Sequence, residues 1–89
     1  MSREEFQTYW LTTHAELVKA LPYVVRYVQN HVVDDSVTHM DGIVELWFES
    51  RADMLAAFAS DIGKKLRADD DNFIGEIEMT GVDEHIIIP

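Results

Sequence analysis

Apolar residues first recur with a helical period. Phe6, Trp10, Leu17 and Leu21 fall one or two turns apart, Tyr9 and Val18 widen the stripe, and Glu4, Gln7, Thr12, Glu16 and Lys19 lie on other sides. Ser2 followed by Glu5 has the form of a capping box, in which hydroxyl and carboxylate satisfy early backbone donors. Pro22 predicts the end of this helix, because its ring excludes the helical region for the residue before it.

The period then changes to two. Residues 23–33 are rich in Val and Tyr and predict a strand, with Tyr27, Gln29 and His31 on one face and Val28, Asn30 and Val32 on the other. Residues 34–42 are polar and end in Asp-Gly, which marks a hairpin loop. Residues 43–49 predict the second strand, with Val44, Leu46 and Phe48 on an apolar face and Ile43, Glu45, Trp47 and Glu49 on a mixed one. Ser50 and Asp53 repeat the capping logic, and Met54, Leu55, Phe58, Ile62 and Leu66 make the buried stripe of a single second helix. Asp69, Asp70 and Asp71 read as a solvated charge run before Phe73. Residues 76–88 are β-branched and predict a last strand, with Gly81 marking a bulge.

The order helix, strand, strand, helix, strand is a β-α-β-β-α-β unit without its first strand. It predicts an α+β, ferredoxin-like fold: an antiparallel sheet with two helices on one face. The other face would carry Trp47 and the Ile and Val residues of the last strand. Such a surface is too apolar to leave in water, so a homodimer is expected.

Composition narrows the classes. The 89 residues predict one domain, 1–89. Seventeen acids against seven bases give a formal net charge of -10, a field that repels phosphate backbones and anionic lipid, so neither nucleic acid nor membrane is an expected partner. The absence of cysteine excludes a disulfide, a thiolate metal site and a thiol nucleophile within the chain. The opening Met1-Ser2-Arg3-Glu4-Glu5 lacks the apolar core of a signal peptide, which makes a cytoplasmic protein the expectation.

Candidate chemistry centres on histidine and tyrosine. His14 lies at the edge of the first helix's apolar stripe and should reach the layer between helix and sheet, where an imidazole can act as general base or acid. The structural alternative is a histidine bonded to a backbone carbonyl to position the helix. Tyr27, mid-strand, can donate a hydrogen bond to a substrate carbonyl or developing enolate, or simply pack with its hydroxyl at the rim. His31 shares the Tyr27 face and is a further candidate for the pocket. Trp10, Phe58, Val44 and Phe48 would line an apolar cavity or belong to the core. Glu45 alternates to the dimer side with Trp47, and His85 reads as exposed. The four histidines, at 14, 31, 39 and 85, have no chelating spacing, and the glycines form no phosphate loop, so neither a metal nor a nucleotide cofactor is expected.

Several stretches carry a resemblance: Ser2-Arg3-Glu4-Glu5-Phe6, Tyr9-Trp10, His14, Arg26-Tyr27-Val28-Gln29-Asn30 and Asp41-Gly42-Ile43-Val44-Glu45-Leu46-Trp47-Phe48. Together they resemble the EthD family. Ser60-Asp61-Ile62, Phe73-Ile74-Gly75 and Val82-Asp83-Glu84 are similar to its methylmuconolactone methylisomerase-like members. The resemblance implies a dimeric ferredoxin-like domain with a small pocket between sheet and helices. It also implies metal-free, cofactor-free chemistry such as lactone isomerisation, dehydration or cyclisation. Members usually begin with a strand ahead of the first helix, and this sequence lacks it. A loop histidine in the methylisomerase-like members stands near His39, which implies a proton-transfer pair with His14. Those members place a cysteine where this chain has Leu46, so a pocket here would offer Leu46 to an apolar ligand and no thiol.

The expectation is a cofactor-independent enzyme that moves a proton beside a carbonyl of a small oxygenated, hydrophobic metabolite. His14, Tyr27 and His39 would be catalytic, and Trp10, His31, Leu46 and Phe58 would contact substrate. The rival expectations are a non-catalytic binding or accessory protein of a degradation pathway, and a cofactor-free monooxygenase. The enzyme reading requires a closed cavity under the first helix where His14 and Tyr27 converge on one ligand.

Overall fold

A computed structural model describes residues 2–34 and 38–89. Residues 35–37, part of the expected hairpin loop, lie outside the described residues. The first helical rod comprises α1 (Arg3–Tyr9), a wider π-helical turn (Trp10–His14) and α2 (Ala15–Lys19). Its start follows from the capping box: the Ser2 hydroxyl accepts from the Glu5 amide at 3.1 Å, and the Ser2 amide donates to Glu5 Oε1 at 3.2 Å. The rod ends before Pro22, with the amides of Ala20 and Leu21 donating to Leu17 and Val18 carbonyls in a tightened last turn. Tyr23 then takes a φ of 68°, a left-handed conformation that turns the chain into the hairpin.

Strands β1 (Arg26–His31) and β2 (Gly42–Trp47) pair antiparallel, with Tyr27 opposite Leu46, Gln29 opposite Val44 and His31 opposite Gly42. Both are shorter than the β-branched runs suggested, although bonds from Val25 to Trp47 and from Val32 to Asp41 extend the ladder at each end. The alternation is as expected. Tyr27 and Leu46 face the helices, while Arg26, Val28 and Asn30 share the outer face with Ile43, Glu45 and Trp47. Gly42 opens β2 directly beneath Trp10, where an added Cβ would meet the indole ring and come within 2.7 Å of the Asn30 carbonyl.

The second helix is two helices. α3 (Arg51–Ala59) starts at Ser50, whose hydroxyl accepts from the Asp53 amide at 3.0 Å. It stops at Ser60, whose extended backbone (φ −69°, ψ 166°) caps α4 (Asp61–Phe73) by accepting from the Gly63 amide at 3.1 Å. The continuous stripe from Met54 to Leu66 is therefore corrected: Ser60 serves as an N-cap rather than a mid-helix residue, and Leu55 is exposed. The aspartate run is corrected as well. Asp69–Asp71 belong to α4, and Asp69 is buried.

Val18, Leu21, Ala57 and Leu66 form the core between the rod, α3 and α4, with Tyr27, Leu46, Phe48 and Phe58 packed against it from the hairpin and α3. A second aromatic cluster surrounds Phe73, whose ring centroid lies 5.2 Å from Phe6, 4.9 Å from Tyr9 and 4.7 Å from His14. The expected last strand is not one. Residues 74–89 carry neither helix nor strand, and Ile86, Ile87 and Ile88 are exposed. β-Branched composition favours extended backbone, but a strand also needs an edge to pair with, and this segment pairs with none among the described residues. No bulge exists at Gly81 for the same reason.

Candidate functional site

Alternation along β1 brings Tyr27, Gln29 and His31 onto the helix-facing side, beside Trp10 of the rod. Gln29 connects them. Its Nε2 donates to the Trp10 carbonyl at 2.8 Å and to the Tyr27 hydroxyl oxygen, while its Oε1 accepts from His31 Nε2 at 2.8 Å. The His31 ring packs against the Trp10 indole at a 33° tilt with centroids 4.7 Å apart. Because a carbonyl oxygen only accepts, His31 Nε2 must carry the hydrogen there, and in the neutral ring Nδ1 holds the lone pair. Among the described residues Nδ1 makes no hydrogen bond. Burial pushes the Tyr27 phenol up, and bonds with Gln29 pull the other way. The hydroxyl therefore stays protonated, and since it accepts from Gln29, its own hydrogen remains available to a ligand. Val44, opposite Gln29, is 44% exposed and marks the open side of this shelf.

His14 faces elsewhere. It is 6% exposed, and its Nδ1 lies 2.8 Å from Asp69 Oδ2, with Nε2 3.5 Å from Asp70 Oδ1. Asp69 also accepts from the Tyr9 hydroxyl at 2.6 Å and from Asn72 Nδ2 at 3.3 Å. Burial alone would raise the Asp69 carboxyl, yet these three donors together hold it below its ordinary value. Asp70 goes the other way, raised by burial and by its acidic neighbours. The π-helical turn carries Trp10 at one end and His14 at the other. His14 thus belongs to an anchor between the rod and α4, whereas Tyr27 belongs to the shelf.

The remaining candidates separate further. His39 is exposed and lies 3.4 Å from Glu76 Oε2, with no bond to His14. Leu46 and Phe58 pack against the core, Phe58 also meeting Phe48 at 5.9 Å between centroids. Glu45 is on the outer face, accepting from Asn30 Nδ2 at 2.8 Å. Trp47 stands on that face too, with the Arg26 guanidinium 4.5 Å from its ring centroid and its Nε1 donating to Glu84 at 3.2 Å. His85 is exposed. Two shallow, open depressions, one on the outer surface of the rod and one between α3, α4 and Met79–Gly81, contain neither His14 nor Tyr27. His14 is thus held by Asp69 and Asp70 of α4 and Tyr27 by Gln29 of its own strand, so the two side chains share no hydrogen-bond partner among the described residues.

Gln29 and Asp69 are the residues that the linear pattern passed over. The signal for Gln29 was its position between Tyr27 and His31 on one strand face. The signal for Asp69 was its spacing of three from Leu66 and four from Phe73, a helical period hidden by the reading of the run as solvated.

An EthD domain model matches residues 1–76. The chain belongs to the EthD family. It is 31% identical over 87 residues to an uncharacterised 11.0 kDa protein of the thcB–thcC intergenic region of Rhodococcus erythropolis, covering 94% of this chain and 84% of that protein. A crystal structure of an EthD family protein from Bacillus halodurans superposes with a TM-score of 0.70 at 20% identity, over 83% of this chain and 76% of that one. This EthD domain accordingly has the ferredoxin-like α+β fold. Its sheet is two-stranded among the described residues. No helix among them is long and apolar enough to cross a membrane.

Proposed function

We propose that this EthD domain is a cofactor-independent enzyme that transfers a proton next to a carbonyl of a small oxygenated, hydrophobic metabolite. The observation that carries the reading is the pairing on one strand face of a donor with a free hydrogen, Tyr27, and an imidazole with a free nitrogen, His31, joined through Gln29. His31 Nδ1 would take a proton from the carbon beside the carbonyl. The electron pair moves onto oxygen, where Tyr27 donates a hydrogen bond to the forming enolate. Return of the proton to another carbon gives isomerisation; delivery to a leaving hydroxyl gives dehydration. Trp10, Val44 and Leu46 offer apolar contact, and Leu46 supplies no thiol. His14, fixed by Asp69, holds α4 against the rod in this reading, and His39 stays at the surface.

A panel of enolisable lactones and phenolic ketones tests the reading. Turnover is expected with at least one of them, and Tyr27→Phe and His31→Ala should each lower kcat/KM by roughly 10²–10⁴-fold. The exposure of Val44 favours a second reading, a non-catalytic carrier that holds such a molecule on an open shelf. Saturable binding without turnover by the whole panel would support the carrier and remove the enzyme.

A further inference from the structure

We propose that Gln29 is a positioning residue: anchored by the Trp10 carbonyl, it sets the tautomer of His31 and keeps the hydroxyl hydrogen of Tyr27 directed away from the strand. The inference rests on the proton-transfer reading above and deepens it.

Every hydrogen in the chain has a forced direction. A primary amide carries two N–H donors and a carbonyl oxygen that only accepts. The Trp10 backbone carbonyl only accepts as well, so the group 2.8 Å from it must be the amide nitrogen; rotating the amide by half a turn would set two oxygens against each other. With Nε2 held there, its second N–H goes to the Tyr27 oxygen. That occupies both donors, so the hydroxyl hydrogen of Tyr27 has no acceptor in Gln29 Nε2 and points outward. Oε1 is then turned to His31 Nε2, 2.8 Å away, and can be satisfied only by an N–H. The neutral imidazole is left with its basic nitrogen at Nδ1. One backbone carbonyl, in the π-helical turn, thereby fixes both the donor and the acceptor that a substrate would meet.

Substitution separates these effects. Gln29→Met keeps the length and removes every polar contact, so His31 falls back to the intrinsic balance of a free neutral imidazole, in which Nε2–H is the major form and Nδ1–H a populated minor one. Gln29→Glu still accepts from His31 Nε2, but it cannot donate, so it gives up the anchor on the Trp10 carbonyl and draws the Tyr27 hydrogen inward. Long-range ¹H–¹⁵N correlation spectra of the full chain, taken with the imidazoles neutral, read the His31 tautomer directly. The wild type should show one tautomer, protonated at Nε2. Gln29→Met should relax to a mixture of both, whereas Gln29→Glu should keep the single tautomer and yet lose at least tenfold in turnover of any substrate found. A packing role alone would not separate the two variants in this way. A tautomer mixture or Nδ1 protonation in the wild type would overturn the assignment, even if Gln29→Met fails to fold. So would a folded Gln29→Met protein with the tautomer unchanged. The spectra need no substrate, so a correct tautomer with no turnover on any compound would remove the enzyme reading alone; turnover with a tautomer indifferent to Gln29 would remove this one alone.

Discussion

Asp69 is where a single side chain ties most of the structure together. It collects hydrogen bonds from Tyr9 and His14 of the rod and from Asn72 of its own helix. Asp69→Asn replaces one acceptor oxygen by a donor and leaves at least one buried partner unmatched. Leaving a buried hydrogen-bonding group without its partner costs about 1–3 kcal/mol. Urea unfolding near neutral pH should show a loss of that size. The pH dependence has a definite sign. The folded carboxyl lies below its ordinary value, so its contribution is complete above the ordinary carboxylate range and disappears as pH falls through the lowered value. The deficit of Asp69→Asn should therefore be largest near neutrality and shrink in acid. Asp70, raised in the fold, acts in the opposite sense: its protonation in acid adds to stability. The aspartate run did not advertise this difference, because three adjacent identical side chains differ only in which face of α4 they occupy.

Capping carried the element boundaries. Ser2 and Ser50 were legible as N-caps because each precedes an acidic residue and an apolar stripe, and both caps are made. Ser60 has the same chemistry, yet the apolar spacing continued across it and predicted one helix. Contacts decided otherwise. α4 approaches the end of α3 so closely that a Cβ on Gly63 would stand 2.6 Å from the Ala57 carbonyl. Ser60→Ala removes the cap of α4 and should cost about 1 kcal/mol, a fall in Tm of roughly 4–8 °C for a domain of this size. An unchanged Tm would mean that packing alone holds the break. The π-helical turn had no signal in the sequence, since Trp10 and His14 fit an ordinary helical stripe equally well.

At the scale of the molecule, the outer sheet face and the terminal segment leave apolar surface uncovered. Ile43 is 62% exposed, Val82 82% and Ile87 86%. We propose that a second copy covers that surface, and it must overcome repulsion between two chains that each carry a formal charge of -10. Added salt screens that repulsion while leaving apolar burial intact. Sedimentation equilibrium should therefore show a homodimer that tightens between low and physiological ionic strength, and Ile43→Lys should weaken it. A monomer at every salt concentration would exclude the homodimer.

Local chemistry in the sequence determined the starts of the first rod and of α3, the two-residue alternation of the hairpin and the side of the sheet on which Tyr27, His31 and Leu46 stand. These follow from periods and caps that act over a few residues. Tertiary structure alone decided that His14 turns to α4 instead of to Tyr27, that Gln29 joins Tyr27 to His31, and that residues 76–88 remain unpaired. Those outcomes depend on what a side chain or a strand edge meets from a distant part of the chain, and spacing along the sequence does not encode that meeting.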